Sequence, residues 1–241
     1  MIESRNIVSN GEIARQAAIY WGLSSGIDTI RDLSHWAGEG RWANEEAWKA
    51  IGELHFQIYE QMCQMTGRDV AIQSMLEWGP GGGANATRFA DHCQQFYGVD
   101  ISEANLKECG RQLGEREVDY QSLLIDVANP ESVGDAVTTP LDFFLCTAVY
   151  QHFPSRSYGQ RVTKTAHSML KEGALALIQI RYDNGKKKIG PKVGGYAKNA
   201  IHYTTYRQKE FSSLVQRAGF EILDILIDPE PSYAFYLLQK K

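Results

Sequence analysis

The residues with most chemistry to offer stand together in Glu77-Trp78-Gly79-Pro80-Gly81-Gly82-Gly83-Ala84, closing an apolar run just ahead of a helical segment opening with Asn85. Glycines at such a junction let the chain turn sharply and bring backbone against a ligand, while the free N–H groups of the helix start favour an electron-rich group. Read as Gly79-x-Gly81-x-x-Ala84, the segment satisfies the dinucleotide fingerprint, and Asp100, 21 residues after Gly79, stands where an acid would hold ribose hydroxyls. Glu77 tilts the reading the other way. A carboxylate two residues before the first glycine repels a pyrophosphate and welcomes a cationic, phosphate-free nucleoside. Asp126, in Leu123-Leu124-Ile125-Asp126-Val127, is positioned to accept a hydrogen bond from an adenine amino group.

Such residues need a scaffold that delivers strand ends and helix starts to one edge. From Ala71 onward short apolar runs at 71–78, 95–99, 119–125, 141–146 and 173–180 alternate with amphipathic helical segments from about 84, 102, 131 and 155. Strands separated by helices of this length demand parallel pairing through right-handed crossovers. A helix from near Tyr206 precedes runs at 220–227 and 232–238, joined by Asp228-Pro229-Glu230-Pro231, too short for a parallel crossover, so this pair is antiparallel. The expected fold is α/β: a Rossmann-like open sheet, mostly parallel, with helices on both faces. Residues 1–70 differ in kind. They carry Trp21, Trp36, Trp42 and Trp48, and helical spacing in Ala47, Ile51, Leu54, Ile58, Met62 and Met65 ahead of Gly67, which ends the helix. We expect 1–70 to form a helical lid or cap, 71–241 the core, and 182–206 a loop inserted on the substrate side.

At 241 residues and 43 % hydrophobic, the chain can bury one sizeable core. Its 29 acids against 25 bases, net −4, argue against bulk nucleic acid as the main partner. No run approaches the roughly 20 apolar residues of a membrane span, and Met1–Asn10 lacks the apolar stretch of a secretory signal, so no membrane partner and a cytoplasmic location are expected. Cys63, Cys93, Cys109 and Cys146 never form C-x-x-C and read as reduced thiols; no metal is expected.

At this point the chain, over about 71–241, resembles the class I S-adenosylmethionine-dependent methyltransferases. Glu77-x-Gly79-x-Gly81-x-Gly83 is similar to their first motif, Gly98-Val99-Asp100-Ile101-Ser102 to their ribose-binding strand end and Ile125-Asp126-Val127 to their adenine-binding motif. Leu141–Cys146 with Gln151-His152-Phe153 is similar to the fourth motif, and Leu170-Lys171-Glu172-Gly173-Ala174 to the turn into the fifth strand, with Glu172 where the family usually has proline. The resemblance implies a seven-stranded sheet with a reversed last strand. It also implies S-adenosylmethionine as methyl donor, held by Glu77, Gly79, Gly81, Gly83, Asp100, Ile101, Asp126, Val127 and Cys146.

The resemblance puts His152 at the edge where methyl group and acceptor meet, as candidate general base; its bland alternative is a capping or packing histidine, and the other histidines have weaker claims. The tryptophans are either plain core or a lid whose aromatic faces attract a sulfonium, with Trp21 against the cofactor, Tyr20, Arg41 and Trp42 on the lid surface, and glycines 38 and 40 as hinges. The stretch 181–209 carries eight Lys or Arg against one acid, Asp183. It is either a solvated loop or an anion-recruiting acceptor site, with Trp42, Arg181, Tyr203 and Tyr206 as substrate-binding candidates and Tyr196 also within reach. The expected reaction is methyl transfer to an oxygen or nitrogen of a small-molecule metabolite, an anionic one included, by a monomer or homodimer. The alternatives are an NAD(P)-dependent oxidoreductase using the same glycine turn, a methyltransferase acting on RNA or protein, and a binding protein that retains the fold without turnover.

Overall fold

The computed structural model describes residues 9–114, 116–185 and 195–241. The apolar runs become seven strands of one sheet: β1 (Ser74–Trp78), β2 (Gln95–Asp100), β3 (Asp119–Leu124), β4 (Leu141–Cys146), β5 (Leu170–Arg181), β6 (Phe220–Asp228) and β7 (Tyr233–Lys240), in the order β3-β2-β1-β4-β5-β7-β6. The first five pair in parallel. β7 runs antiparallel to β6, as the short connection between them requires, and also antiparallel to β5. Strand order reverses between β1 and β4, and a crevice opens there beyond the carboxyl ends, where open α/β sheets place ligands.

Among the described residues the helices are α1 (Asn10–Gly22), α2 (Asp28–Leu33), α3 (Glu45–Thr66), α4 (Ala84–Phe89), α5 (Glu103–Leu113), α6 (Val133–Ala136), α7 (Arg156–Met169), α8 (Tyr196–Asn199) and α9 (Gln208–Arg217). Side-chain caps start several of them: Asn44 accepts from the Ala47 N–H at 3.0 Å and Ser155 from that of Tyr158 at 3.1 Å. Gly67 ends α3 in the left-handed region at φ 64°, the position the sequence marks as its stop. One sheet face is covered by α7 and α9, through Val162, Ala166, Phe211 and Val215. The other is covered by α3, α4 and α5, through Phe56, Met62, Phe89 and Leu113.

The helix over 45–66, expected as part of the 1–70 cap, packs on the sheet. The Tyr59 ring of α3 lies 4.6 Å from that of Phe143 of β4, tilted by 45°, and Gly52 meets α4 so closely that an added Cβ would lie 2.3 Å from the Ala84 carbonyl oxygen. Thus α3 belongs to the sheet-covering layer, because its apolar stripe has the sheet to bury against. What lies over the crevice is smaller: α1, α2 and the turns to Trp42. The stretch read as a loop at 182–206 contributes to the same cover. Its α8 and the turn Ala200–His202 bury Tyr196 and Tyr203 against Ile13, Ala17 and Trp21 of α1. Lys186, Lys187, Lys188 and Lys192 of the basic stretch lie outside the described residues.

Candidate active site

The crevice is lined by the turn from β1 into α4, the ends of β2 and β4 and the cover above them. Its floor is the turn from β1 into α4, where Gly79, Gly81 and Gly83 hold φ of 77°, 54° and 88°, values that favour glycine. These glycines also permit close contact with the rest of the chain. An added Cβ would meet Val149 at Gly79, the Ser34 carbonyl at Gly81, the His35 carbonyl at Gly82 and Cys109 at Gly83. Gly79 and Gly81 line the crevice, whereas Gly83 is turned toward α5 and sets helix packing. The Gly82 N–H donates to the Ser34 carbonyl at 2.7 Å, seating the cover on the glycine turn.

Asp100, at the end of β2, lines the crevice and is 8 % exposed. Its Oδ1 accepts from the Ser102 N–H at 2.8 Å and its Oδ2 from Asn105 at 3.3 Å. Burial nevertheless pushes its carboxyl up to about 6. Asn105 also accepts from Trp36 Nε1 at 3.0 Å, so the cover is tied to the residue that supports Asp100. Ile101 and Val127 line the same wall.

Glu77 does not line the crevice. It is 1 % exposed behind the glycine turn, where Asn85 Nδ2 donates to its Oε1 at 2.8 Å and to Thr147 Oγ1 at 2.8 Å, and His55 Nδ1–H donates to Asn85 Oδ1 at 2.8 Å. Burial pushes the Glu77 carboxyl up to about 8, and its Oε2 makes no hydrogen bond among the described residues. The expected direct clasp on a ligand cation is therefore replaced by a buried polar network under the turn. Sequence reading missed Asn85, Thr147 and His55 as partners because they come from three distant segments; the one local signal was Asn85 opening α4.

Trp21, His35, Val149, His152, Phe153 and Tyr196 also line the crevice, with Ser34, Asn85 and Thr147 among the polar residues beside them. His152 Nδ1–H donates to the Ala200 carbonyl at 2.7 Å, and burial brings its imidazole down to about 4. It is neutral near pH 7, with its lone pair on Nε2. Tyr196 accepts from Trp21 Nε1 at 2.8 Å and donates to the His152 carbonyl at 2.5 Å, while the Trp21 ring sits edge-on to His152 at 4.8 Å. His35, also brought down to about 4 by burial, holds φ at 56°, a backbone geometry that costs energy in a non-glycine residue. Its only sequence signal was a place near Gly38 and Gly40.

Other expected site residues lie elsewhere. Arg181 is 6 % exposed, donates to the Pro231 carbonyl at 3.2 Å and Tyr233 OH at 2.7 Å, and faces the hairpin, because its register on β5 sets it opposite Tyr233. Tyr206 is core, 5.1 Å from Phe211, and Tyr203 packs 5.0 Å from Tyr196 without lining the crevice. Trp42 donates to the Asp32 carbonyl at 2.7 Å, and Arg41 pairs with Asp32 at 3.0 Å on the outside of the cover. Cys146 is wholly buried in the core. Asp126 is exposed, accepts from the Ala128 N–H at 2.8 Å and borders an adjoining cavity under α1, which Val127 and Tyr158 share with the crevice. No cluster of metal-ligating side chains occurs among the described residues, and no described helix is long and apolar enough to cross a membrane.

The profile of a family described as a methyltransferase domain matches residues 38–225. No curated protein matches the sequence. Among solved structures, a 1,6-didemethyltoxoflavin N1-methyltransferase from Burkholderia thailandensis, with its substrate and S-adenosylhomocysteine bound, is 16 % identical with a TM-score of 0.63, covering 100 % of this chain and 98 % of that one. Magnesium protoporphyrin IX methyltransferase from Synechocystis PCC 6803, with S-adenosylhomocysteine, is 13 % identical with a TM-score of 0.63, covering 94 % and 99 %. An S-adenosylmethionine-dependent methyltransferase from Clostridium acetobutylicum is 12 % identical with a TM-score of 0.59, covering 77 % and 89 %. At these identities the likeness is one of fold.

Proposed function

Because the chain belongs to the methyltransferase-domain family, we propose that it uses S-adenosylmethionine to methylate an oxygen or nitrogen of a small-molecule acceptor. One observation carries the choice of donor. The glycine turn, whose one side chain is that of Pro80, lies beside the Asp100 carboxylate, and no Lys or Arg lines the crevice among the described residues. That suits a cationic nucleoside whose ribose hydroxyls can donate to a carboxylate, and it offers no side-chain cation to a pyrophosphate. Gly79 and Gly81 would hold the amino-acid end, Asp100 the ribose, and Ile101 and Val127 the flat base. The donor supplies a methyl carbon on a sulfonium: the acceptor's lone pair forms the new bond to carbon as the C–S electron pair returns to sulfur, giving S-adenosylhomocysteine.

The chain's own share is alignment, exclusion of water and, for an N–H or O–H acceptor, removal of a proton. Holding acceptor and methyl group in line can contribute about 7–11 kcal/mol in favourable cases. The cover formed by α1, α2 and α8 dries the space above the turn. His152 takes the proton. Burial makes its imidazole a weaker base than in water but keeps it neutral and ready, and the Ala200 carbonyl fixes the tautomer with Nε2 unprotonated. Transfer of a labelled methyl group from S-adenosylmethionine to a fractionated metabolite pool tests the reaction; unlabelled fractions despite bound S-adenosylhomocysteine would reduce the protein to a binder. In His152→Gln, kcat should drop about 100-fold or more while S-adenosylhomocysteine affinity stays within about twofold. Unchanged turnover at saturating acceptor would remove the base.

A further inference from the structure

We infer that the acceptor taken by this crevice is an uncharged, flat ring compound presenting one ring N–H or O–H, and not an anionic metabolite. The inference rests on the methyltransferase reading above and narrows its substrate class. Besides Asp100 and the glycine turn, the crevice is lined by Trp21, Val149, Phe153 and Tyr196 with two neutral imidazoles, His35 and His152. The polar atoms among them are largely spent on each other: Trp21 Nε1 on Tyr196, the Tyr196 hydroxyl on the His152 carbonyl, and His152 Nδ1 on Ala200. His152 Nε2 remains as an acceptor for one hydrogen-bond donor, beside the His35 imidazole and the Ser34 hydroxyl, which is buried and makes no hydrogen bond among the described residues.

Nothing described in this wall would neutralise an anion. Arg181, the residue best placed in sequence to do so, does not line the crevice and donates to Pro231 and Tyr233, with its guanidinium 4.7 Å over the Tyr233 ring, while its Nε makes no hydrogen bond among the described residues. Arg31 donates to the Ser24 carbonyl and pairs with Glu39, Arg41 pairs with Asp32, and Arg156 pairs with Glu210. A carboxylate entering this space would lose its water without gaining a counter-charge, and Asp100 would repel it. A neutral ring would instead bury its faces against aromatic walls, with favourable edge and face contacts.

The test loads the full-length protein with S-adenosylhomocysteine and then titrates matched probes by calorimetry: 2-naphthol against 6-hydroxy-2-naphthoate, and indole against indole-5-carboxylate, at about 0.05 and 0.3 M salt. The neutral member of each pair should bind at least about tenfold more tightly, with little salt dependence. Equal or tighter binding of the carboxylates, weakening as salt rises, would overturn the inference and assign acceptor capture to the lysines of 186–194. Absence of binding by both neutral probes to the loaded protein would also overturn it. Failure of S-adenosylhomocysteine itself to bind is read in the loading step and strikes the donor assignment on which the inference stands.

Discussion

Glu77 has one hydrogen-bond donor, Asn85, and no cation to offset its burial, so its carboxyl keeps a proton that an exposed glutamate would have lost. The consequence for stability has a definite sign. The folded chain holds this proton more tightly than the unfolded one, whose ordinary value is 4.5. Stability is therefore intact below pH 4.5 and is lost as pH rises through about 8. Glu77→Gln keeps an oxygen facing Asn85 and cannot ionise. Its advantage over the wild type in urea unfolding should widen from pH 7 to pH 9 or so; a constant difference across that range would mean the carboxyl is already ionised in the folded protein.

The elements were legible where their cause is local. The glycine turn, the alternation of strand and helix through 71–180, the stop at Gly67 and the hairpin at 229–232 each declare themselves within a few residues. What escaped depends on pairing across the chain. Arg181 sits at the end of β5 beside the expected acceptor site, yet its register against Tyr233 sends the guanidinium to the hairpin. Tyr196 belongs to a stretch that reads as loop, and only the α1 face carrying Ala17 and Trp21 explains why it is buried. Gly52 carries no signal in sequence beyond a glycine in a helix. In the structure it is where α3 approaches α4. Gly52→Ala would gain up to about 1 kcal/mol in helix propensity. It would also press a methyl group against the Ala84 carbonyl, a backbone atom 2.3 Å from the ideal Cβ. Overpacking of this kind costs about 1–3 kcal/mol. The variant should unfold at lower urea, and a raised midpoint would refute close α3–α4 packing.

At the scale of the whole molecule, the cover is seated on the sheet through Gly82 with Ser34 and Trp36 with Asn105, and two half-buried imidazoles lie at that junction. His35 and His152 are both brought down to about 4 from an ordinary 6.5. The folded state resists their protonation, so their contribution to stability is full above pH 6.5 and is lost as pH falls toward 4. Asp100, pushed up to about 6, acts in the opposite sense over part of that range, so the reading must be a difference between proteins. A double variant, His35→Gln with His152→Gln, should lose less stability than the wild type between pH 7 and pH 4 or so, as followed by urea midpoints; parallel profiles would mean both rings take up protons as readily in the folded state as in the unfolded one.

On the proposed reading, the crevice over Gly79, Gly81 and Asp100 takes a cationic nucleoside free of phosphate. Calorimetric titration of the purified protein with S-adenosylhomocysteine, and separately with NADH, addresses it most directly. One site for S-adenosylhomocysteine with no heat from NADH is the predicted result. Saturable NADH binding with no response to S-adenosylhomocysteine would contradict it.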